Sequence, residues 1–329
     1  MKAIIPVAGK GTRLRPHTHT TPKVLLNVAG KPIIAHIMDH IPGTKIDHVV
    51  FIVGYLKEVF EEWARDRYKN LHMEFIEQKE ILGLGHAVGM GLSAEDEEVM
   101  IILGDTIFEI DLDAVLSSEY SSLGVQAVKD PSRFGVVVKE DGFIVDLVEK
   151  SEHPPSHDAI VGLYFIKHGG LLKQCINGII ADDVTTKGEY QITDALKRMV
   201  QQGEKMTTFS IQGWYDCGTA LTLLESNRHL LSKQADSGAD LAALRKNNII
   251  TEPVFIAPDA DVKNSIIGPY TSIGPGCTIA ASIIQDSIVG DDSDISSGVF
   301  ERSIIGRHAT IRGTANKLNI SDHSEITFH

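Results

Sequence analysis

Apolar residues return every five or six positions near the C-terminus: Ile256, Val262, Ile267, Ile273, Ile279, Ile284, Val289, Ile295, Phe300, Ile305 and Ile311. That rhythm fits neither the 3.6-residue helical period nor the two-residue alternation of a half-buried strand. Glycine follows the apolar residue at Ile267-Gly268, Ile273-Gly274, Val289-Gly290 and Ile305-Gly306. A near-hexapeptide period of this kind marks a parallel β-helix, in which each short strand stacks on its counterpart one turn away. A β-sandwich is the competing fold, and the missing period-two alternation speaks against it.

The first two-thirds of the chain follow a different rule. Ala3-Ile4-Ile5-Pro6-Val7, Val49 to Val53 and Val99 to Leu103 read as buried strands. Pro32 to Ile41 reads as a helix between the first two, and Leu56, Val59, Phe60, Trp63 and Ala64 recur at helical spacing after the second. Alternating strand and helix predicts an α/β fold with a Rossmann-like mixed, mostly parallel sheet. Such sheets bind ligands beyond the carboxyl ends of their strands, which directs attention to the loops after Val7 and Leu103. At roughly 150 residues per domain, 329 residues suit two domains. We expect an α/β domain over 1–235, a linker over 236–252 and the β-helix over 253–329.

Net charge excludes some partners and points to another. The chain carries −13, so an acidic surface would repel nucleic acid. No apolar run is long enough to span a bilayer, the N-terminus has no room for a signal-peptide core, and three scattered cysteines have no metal spacing; a cytoplasmic setting is expected. Yet Lys2, Lys10, Arg13, Arg15, Lys23 and Lys31 precede the first carboxylate, Asp39. A cationic, glycine-bearing segment on an acidic protein predicts a local site for a small polyanion.

That segment contains Gly9-Lys10-Gly11-Thr12-Arg13-Leu14-Arg15-Pro16, directly after the first strand. Glycines let backbone N–H groups converge on phosphate oxygens. The spacing matches neither the dinucleotide fingerprint nor the Walker loop. Extended, the run GKGTRLRPHTHTTPKVLLNVAGKPI resembles the signature of the sugar nucleotidyltransferases. Further landmarks of that family follow in order: Gln78 with Gly83-Leu84-Gly85-His86-Ala87, Gly104-Asp105, Phe134-Gly135-Val136, Val148-Glu149-Lys150, Glu189-Tyr190-Gln191-Ile192-Thr193-Asp194 and Trp214-Tyr215-Asp216-Cys217-Gly218-Thr219. The resemblance covers about residues 1 to 235, and a subset of the family adds a left-handed β-helix.

The resemblance implies transfer of a nucleotidyl group from a nucleoside triphosphate to a sugar-1-phosphate, with release of pyrophosphate. It implies catalytic roles for Arg13 and Lys23, nucleotide binding by Ala8, Gly9, Gly11, Thr12, Gln78 and Gly83, and sugar-phosphate binding by Gly135, Glu149, Lys150 and Glu189. Asp105 and Asp216 would hold Mg²⁺, a hard cation suited to carboxylate oxygens. Gln78 offers a base both a donor and an acceptor. Its loop looks more like uridylyl and thymidylyl enzymes than guanylyl ones. Glucose-1-phosphate with UTP or dTTP is therefore expected, against a guanylyl- or adenylyltransferase or a regulatory subunit without activity. Solenoid turns favour symmetric assembly, so a homo-oligomer is expected. His308 and His323 are the candidate bases were the β-helix an acyltransferase, but its turns are few. The pairs His17/His19 and His36/His40 read as structural or surface residues rather than metal ligands.

Overall fold

The computed structural model describes residues 1–313 and 319–327. By packing the chain divides into two compact units, Met1–Gly9 with Ile37–Trp214, and Lys10–His36 with Tyr215–His329. Among the described residues no helix is long and apolar enough to cross a membrane.

The first unit is built on a nine-stranded mixed sheet. Lys2–Pro6 lies parallel to His48–Val53 on one side and to Val99–Ile102 on the other, and His48–Val53 lies parallel to His72–Glu77. Asp158–Ile166 then runs antiparallel to Val99–Ile102 and to Ser121–Ala127. The three strands read from sequence match these to within a residue. Both faces are covered. Ile4, Val50, Ile52 and Ile101 share a core with Val88, Leu172, Ile176 and Leu196 from three helices. On the opposite face Phe51 meets the edge of Phe60, from helix Lys57–Arg67, at 5.0 Å and stacks on Phe75 at 5.4 Å. Alternation along one strand thus feeds two cores, each buried large side chain contributing roughly 1.5–3 kcal/mol.

The helix predicted over Pro32–Ile41 is shorter, Ile33–Met38, and runs from the second unit into the first. Pro32 is taken by a small hairpin, Asn27–Val28 against Lys31–Pro32. Ala29 and Gly30 turn it with φ of 49° and 88°, the two-residue geometry that suits strand twist. Helix Ala220–Lys233 begins with a capping box between Thr219 and Thr222. Asp240 caps the short helix Leu241–Leu244, and the first solenoid strand, Ile249–Ile250, already lies in the segment expected as a linker.

From there short parallel strands stack in three sheets. One inward ladder is Ile256, Ile273, Val289, Ile305 and Ile320; a second is Val262, Ile279, Ile295 and Ile311; the third is Ile250, Ile267, Ile284 and Phe300. These residues form one continuous buried core. The five-to-six-residue rhythm is the length of one face of each coil.

Candidate active site

The strands of the first unit end on the residues expected to meet nucleotide. Ala8 is buried against Gly54, where a Cβ would sit 2.9 Å from the Ala8 carbonyl oxygen. The Gly104 amide donates to the Pro6 carbonyl at 3.4 Å, so half-buried Asp105 stands at the same strand end from which the chain enters Gly9.

Gln78, Gly83 and Glu189 come together. Gly83 has φ +110°, a backbone state closed to most L-residues, and a Cβ there would lie 2.6 Å from the Tyr190 carbonyl and 2.9 Å from the Glu189 Cβ. The Gly85 amide donates to the Tyr190 carbonyl and the Tyr190 amide to the Leu82 carbonyl, both at 2.8 Å. The residue expected at the base is therefore stitched to the one expected at the sugar. Gln78 is 4% exposed, and its amide nitrogen donates to the Gly83 carbonyl at 3.3 Å and to His86 Nδ1 at 3.0 Å. Both Gln78 amide hydrogens are thus engaged within the protein, one by the Gly83 carbonyl and one by His86.

Gly135, Glu149 and Lys150 form a second cluster. A Cβ on Gly135 would fall 2.7 Å from Glu149 Oε2 and 2.8 Å from Thr193 Oγ1. Thr193 Oγ1 donates to Glu149 Oε2 at 2.7 Å, and Lys150 Nζ lies 3.2 Å from Glu149 Oε1. Lys150 itself adopts φ +42°, with its amide donating to the Phe134 carbonyl at 3.0 Å. A lysine held in this state costs about 1–2 kcal/mol, which the surrounding contacts must offset. Burial raises the Asp194 carboxyl above its usual range, with the Glu149 charge adding to the effect and a hydrogen bond from Thr186 opposing it. Burial likewise raises the Tyr164 phenol, again with a contribution from Glu149.

In the second unit the cationic segment folds around Gly11. Its φ is +60°, and a Cβ would meet Thr18 Cγ2 at 2.9 Å and Lys23 Cβ at 3.0 Å. Thr18 Oγ1 donates to the Gly11 carbonyl at 2.9 Å. Lys23 is only 8% exposed, with its stem packed beneath the glycine turn, whereas Thr12 and Arg13 are exposed. Asp216 and Arg13 crowd one spot: a Cβ on Gly218 would lie 2.8 Å from Asp216 Oδ1 and 3.1 Å from Arg13 Nη2. Asp105 and Asp216 belong to different units.

His17, in the same segment, is 1% exposed, and its Nε2 donates to Asn319 Oδ1. Burial lowers its pKa, opposed by the Asn319 hydrogen bond and the Asp322 charge. The unfolded chain therefore takes up a proton near the ordinary value of 6.5 before the folded one does. Stability rises with pH between the two values, is complete above the unfolded pKa and falls on acidification. His17→Gln is expected to shrink the loss of urea midpoint between pH 7.5 and pH 5.5; an unchanged slope would remove His17 as its source. His36, by contrast, has a local role, with Nε2 bonded to the Val28 carbonyl at 2.9 Å.

Compared with known proteins, residues 2–233 match the nucleotidyl transferase family. The chain belongs to that family. It is 31% identical to the glucose-1-phosphate thymidylyltransferase of Streptomyces antibioticus over 99% of both chains. It is 33% identical to the bifunctional protein GlmU of Methanocaldococcus jannaschii, over 89% of this chain and 78% of that one. A solved UDP-glucose pyrophosphorylase complexed with UDP-glucose superposes with a TM-score of 0.61 and 25% identity, covering 71% of this chain and 99% of that one.

Two contacts in the candidate site of this nucleotidyl transferase are not read from the sequence. Thr193 positions Glu149, and Thr18 clasps Gly11. Both lie inside the quoted motifs, but a threonine in a motif carries no signal of which carboxylate or carbonyl it will reach. The match of the motifs was visible; the pairing of Gly83 with Tyr190, across a hundred residues of chain, was not.

Proposed function

We propose that this nucleotidyl transferase moves a uridylyl or thymidylyl group from UTP or dTTP to a hexose-1-phosphate, glucose-1-phosphate first among them, giving the nucleoside-diphosphate sugar and pyrophosphate. The observation that carries this reading is the packing of Gly83, which Gln78 holds through the Gly83 carbonyl, against Tyr190 and the Glu189 Cβ, so that the segment we assign to the base and the one we assign to the sugar are neighbours. With its amide hydrogens used internally, Gln78 accepts from a base. Uracil, thymine and guanine each offer a ring N–H to such an acceptor, and adenine offers its exocyclic amino group, so this contact alone does not separate them. The names of the relatives favour the pyrimidines over guanine.

A sugar phosphate has a second pKa near ~6 and arrives largely ionised, so no general base is needed. Its oxygen forms the new bond to the α-phosphorus as the bond to the departing pyrophosphate breaks, and that bond's electron pair leaves with the pyrophosphate. Catalysis is then alignment and charge neutralisation. Lys23 holds charge at the α-phosphate, the turn around Gly11 cradles the triphosphate, and Arg13 takes charge on the pyrophosphate. Lys150 holds the sugar phosphate while Glu149 and Glu189 accept from sugar hydroxyls.

Asp105 and Asp216 supply only oxygen donors, half-buried and exposed, which suits Mg²⁺ completed by phosphate and water. Among the described residues there is no group of three or more His, Cys, Asp or Glu that could hold an ion. When bound, the ion would neutralise phosphate charge.

The test is pyrophosphate release across a grid of nucleoside triphosphates and sugar-1-phosphates. Turnover is expected with UTP or dTTP and glucose-1-phosphate; turnover confined to ATP or GTP would overturn the base assignment, and none with any pair would overturn the activity. Assembly through the solenoid is part of the same reading. Ile249, Ile266, Ile283 and Val299 stack one per coil on its outside, each 36% to 61% exposed. Light scattering is expected to give a multiple of the 35.9 kDa chain mass; a monomer at micromolar concentration would refute this.

A further inference from the structure

The solenoid has a second outward ladder, and this one is covered. Phe255, Ser272, Ile288, Ile304 and Asn319 stand in register on successive coils. Ser272, Ile288 and Ile304 are 3%, 3% and 6% exposed, in contrast to the open Ile249 ladder. The contacts on it lead to the cationic segment. A Cβ on Gly30 would lie 2.6 Å from the Phe255 ring. Ser272 Oγ donates to Asn227 Oδ1 at 2.6 Å, and that fully buried amide also accepts from the Ala29 amide at 2.9 Å. Asn27 Nδ2 donates to Asp291 Oδ1 at 3.0 Å.

The last described coil grips the part nearest Gly11. Ser321 Oγ donates to the Pro16 carbonyl at 2.9 Å, and His17 donates to Asn319. Thr20 and Thr21 Oγ1 both donate to Asp322 Oδ2, the second at 2.8 Å, while Asp322 Oδ1 accepts from the Arg307 amide at 2.9 Å. Pro16 to Thr21 has only 3₁₀ turns of its own, so few internal hydrogen bonds hold its shape. Its inner side bears Thr18, which fixes Gly11, and Gly11 in turn packs on the Lys23 stem. A carboxylate accepting two hydroxyls and a backbone amide is a strong clamp, because charge-assisted bonds are roughly twice as strong as neutral ones.

We propose that the β-helix is part of the catalytic apparatus, with Asn319, Ser321 and Asp322 as positioning residues that set the shape of the phosphate-binding segment. The consequence is that the C-terminal coils govern turnover through the nucleoside triphosphate, in addition to any role in assembly. This rests on the proposed nucleotidyl transfer, because only there do Gly11 and Lys23 meet phosphate.

The test compares full-length Asp322→Ala, Asp322→Asn and Glu325→Ala. Glu325 is exposed on the same coil and serves as control. Small displacements of aligned groups cost up to about a hundredfold, so Asp322→Ala is expected to lower kcat and raise the triphosphate KM, with a combined loss of about ten- to a hundredfold in kcat/KM. The KM for sugar phosphate should stay unchanged. Asp322→Asn keeps an acceptor oxygen and is expected to recover most of the loss; Glu325→Ala should match the parent. Amide exchange in peptides covering 11–25 should quicken in Asp322→Ala alone. Parent-like kinetics and exchange in Asp322→Ala would overturn the proposal, as would a loss shared equally by both substrates. If Asp322→Ala fails to fold, the double variant Thr20→Val/Thr21→Val removes the same bonds from the other side and must reproduce the same pattern. A parent protein inactive on every substrate pair would sink the activity reading, whereas unchanged exchange at 11–25 would sink this one.

Discussion

Asp105→Asn and Asp216→Asn are each expected to lower turnover by roughly a hundred- to a thousandfold, the range seen when one charge-stabilising group is removed from a preorganised site. The substitution is nearly isosteric. Asp105 is half-buried and Asp216 exposed, so neither loss of charge opens a cavity, and thermal midpoints should stay within a few degrees of the parent. The effect should appear as a raised requirement for divalent cation together with a fall in kcat, read by pyrophosphate release over a magnesium titration. Parent-like turnover in both variants would remove the metal assignment; an effect in one alone would leave a single carboxylate ligand.

Lys23→Met should be as damaging. The lysine stem is buried under the Gly11 turn, so methionine preserves the packing and deletes only the ammonium. Lys23→Ala would confound the two. A loss of roughly two to three orders of magnitude in kcat/KM is expected for Lys23→Met, with the unfolding midpoint conserved. Arg13→Ala should lose less, because an exposed guanidinium is partly replaced by water. Lys23→Arg is not expected to rescue, since a planar fork does not fit where a compact ammonium is enclosed. If Lys23→Met retained more than a third of parent activity, charge at that position would have no part in the transition state.

Much of this was legible in the chain. Every residue of the five-to-six-residue ladder from Ile256 to Ile311 points into the solenoid core, because side-chain direction in a short strand follows directly from its position within the coil face. Strand positions in the sheet were similarly readable, since β-branched runs of four to six residues have few other uses. The Pro32 helix start was misread. A hairpin turn with two positive φ values claimed the proline, and a local helix signal does not register competition from a pairing partner.

Residue types and their order along the chain carried the motifs by which the sequence resembles the sugar nucleotidyltransferases, and the expected reaction class followed from that resemblance. They also determined the solenoid, because its period is printed in the sequence. Only the tertiary structure decided which residues meet. Gly83 seats against Tyr190, Thr193 holds Glu149, and Asp322 grips Thr20 and Thr21. Each pair is brought together by the close packing of distant segments, where an ångström of backbone position selects the partner. One-dimensional patterns carry period and composition but not that distance. The same packing allied Lys10–His36 with the C-terminal coils, a partnership that no local propensity in either segment announces.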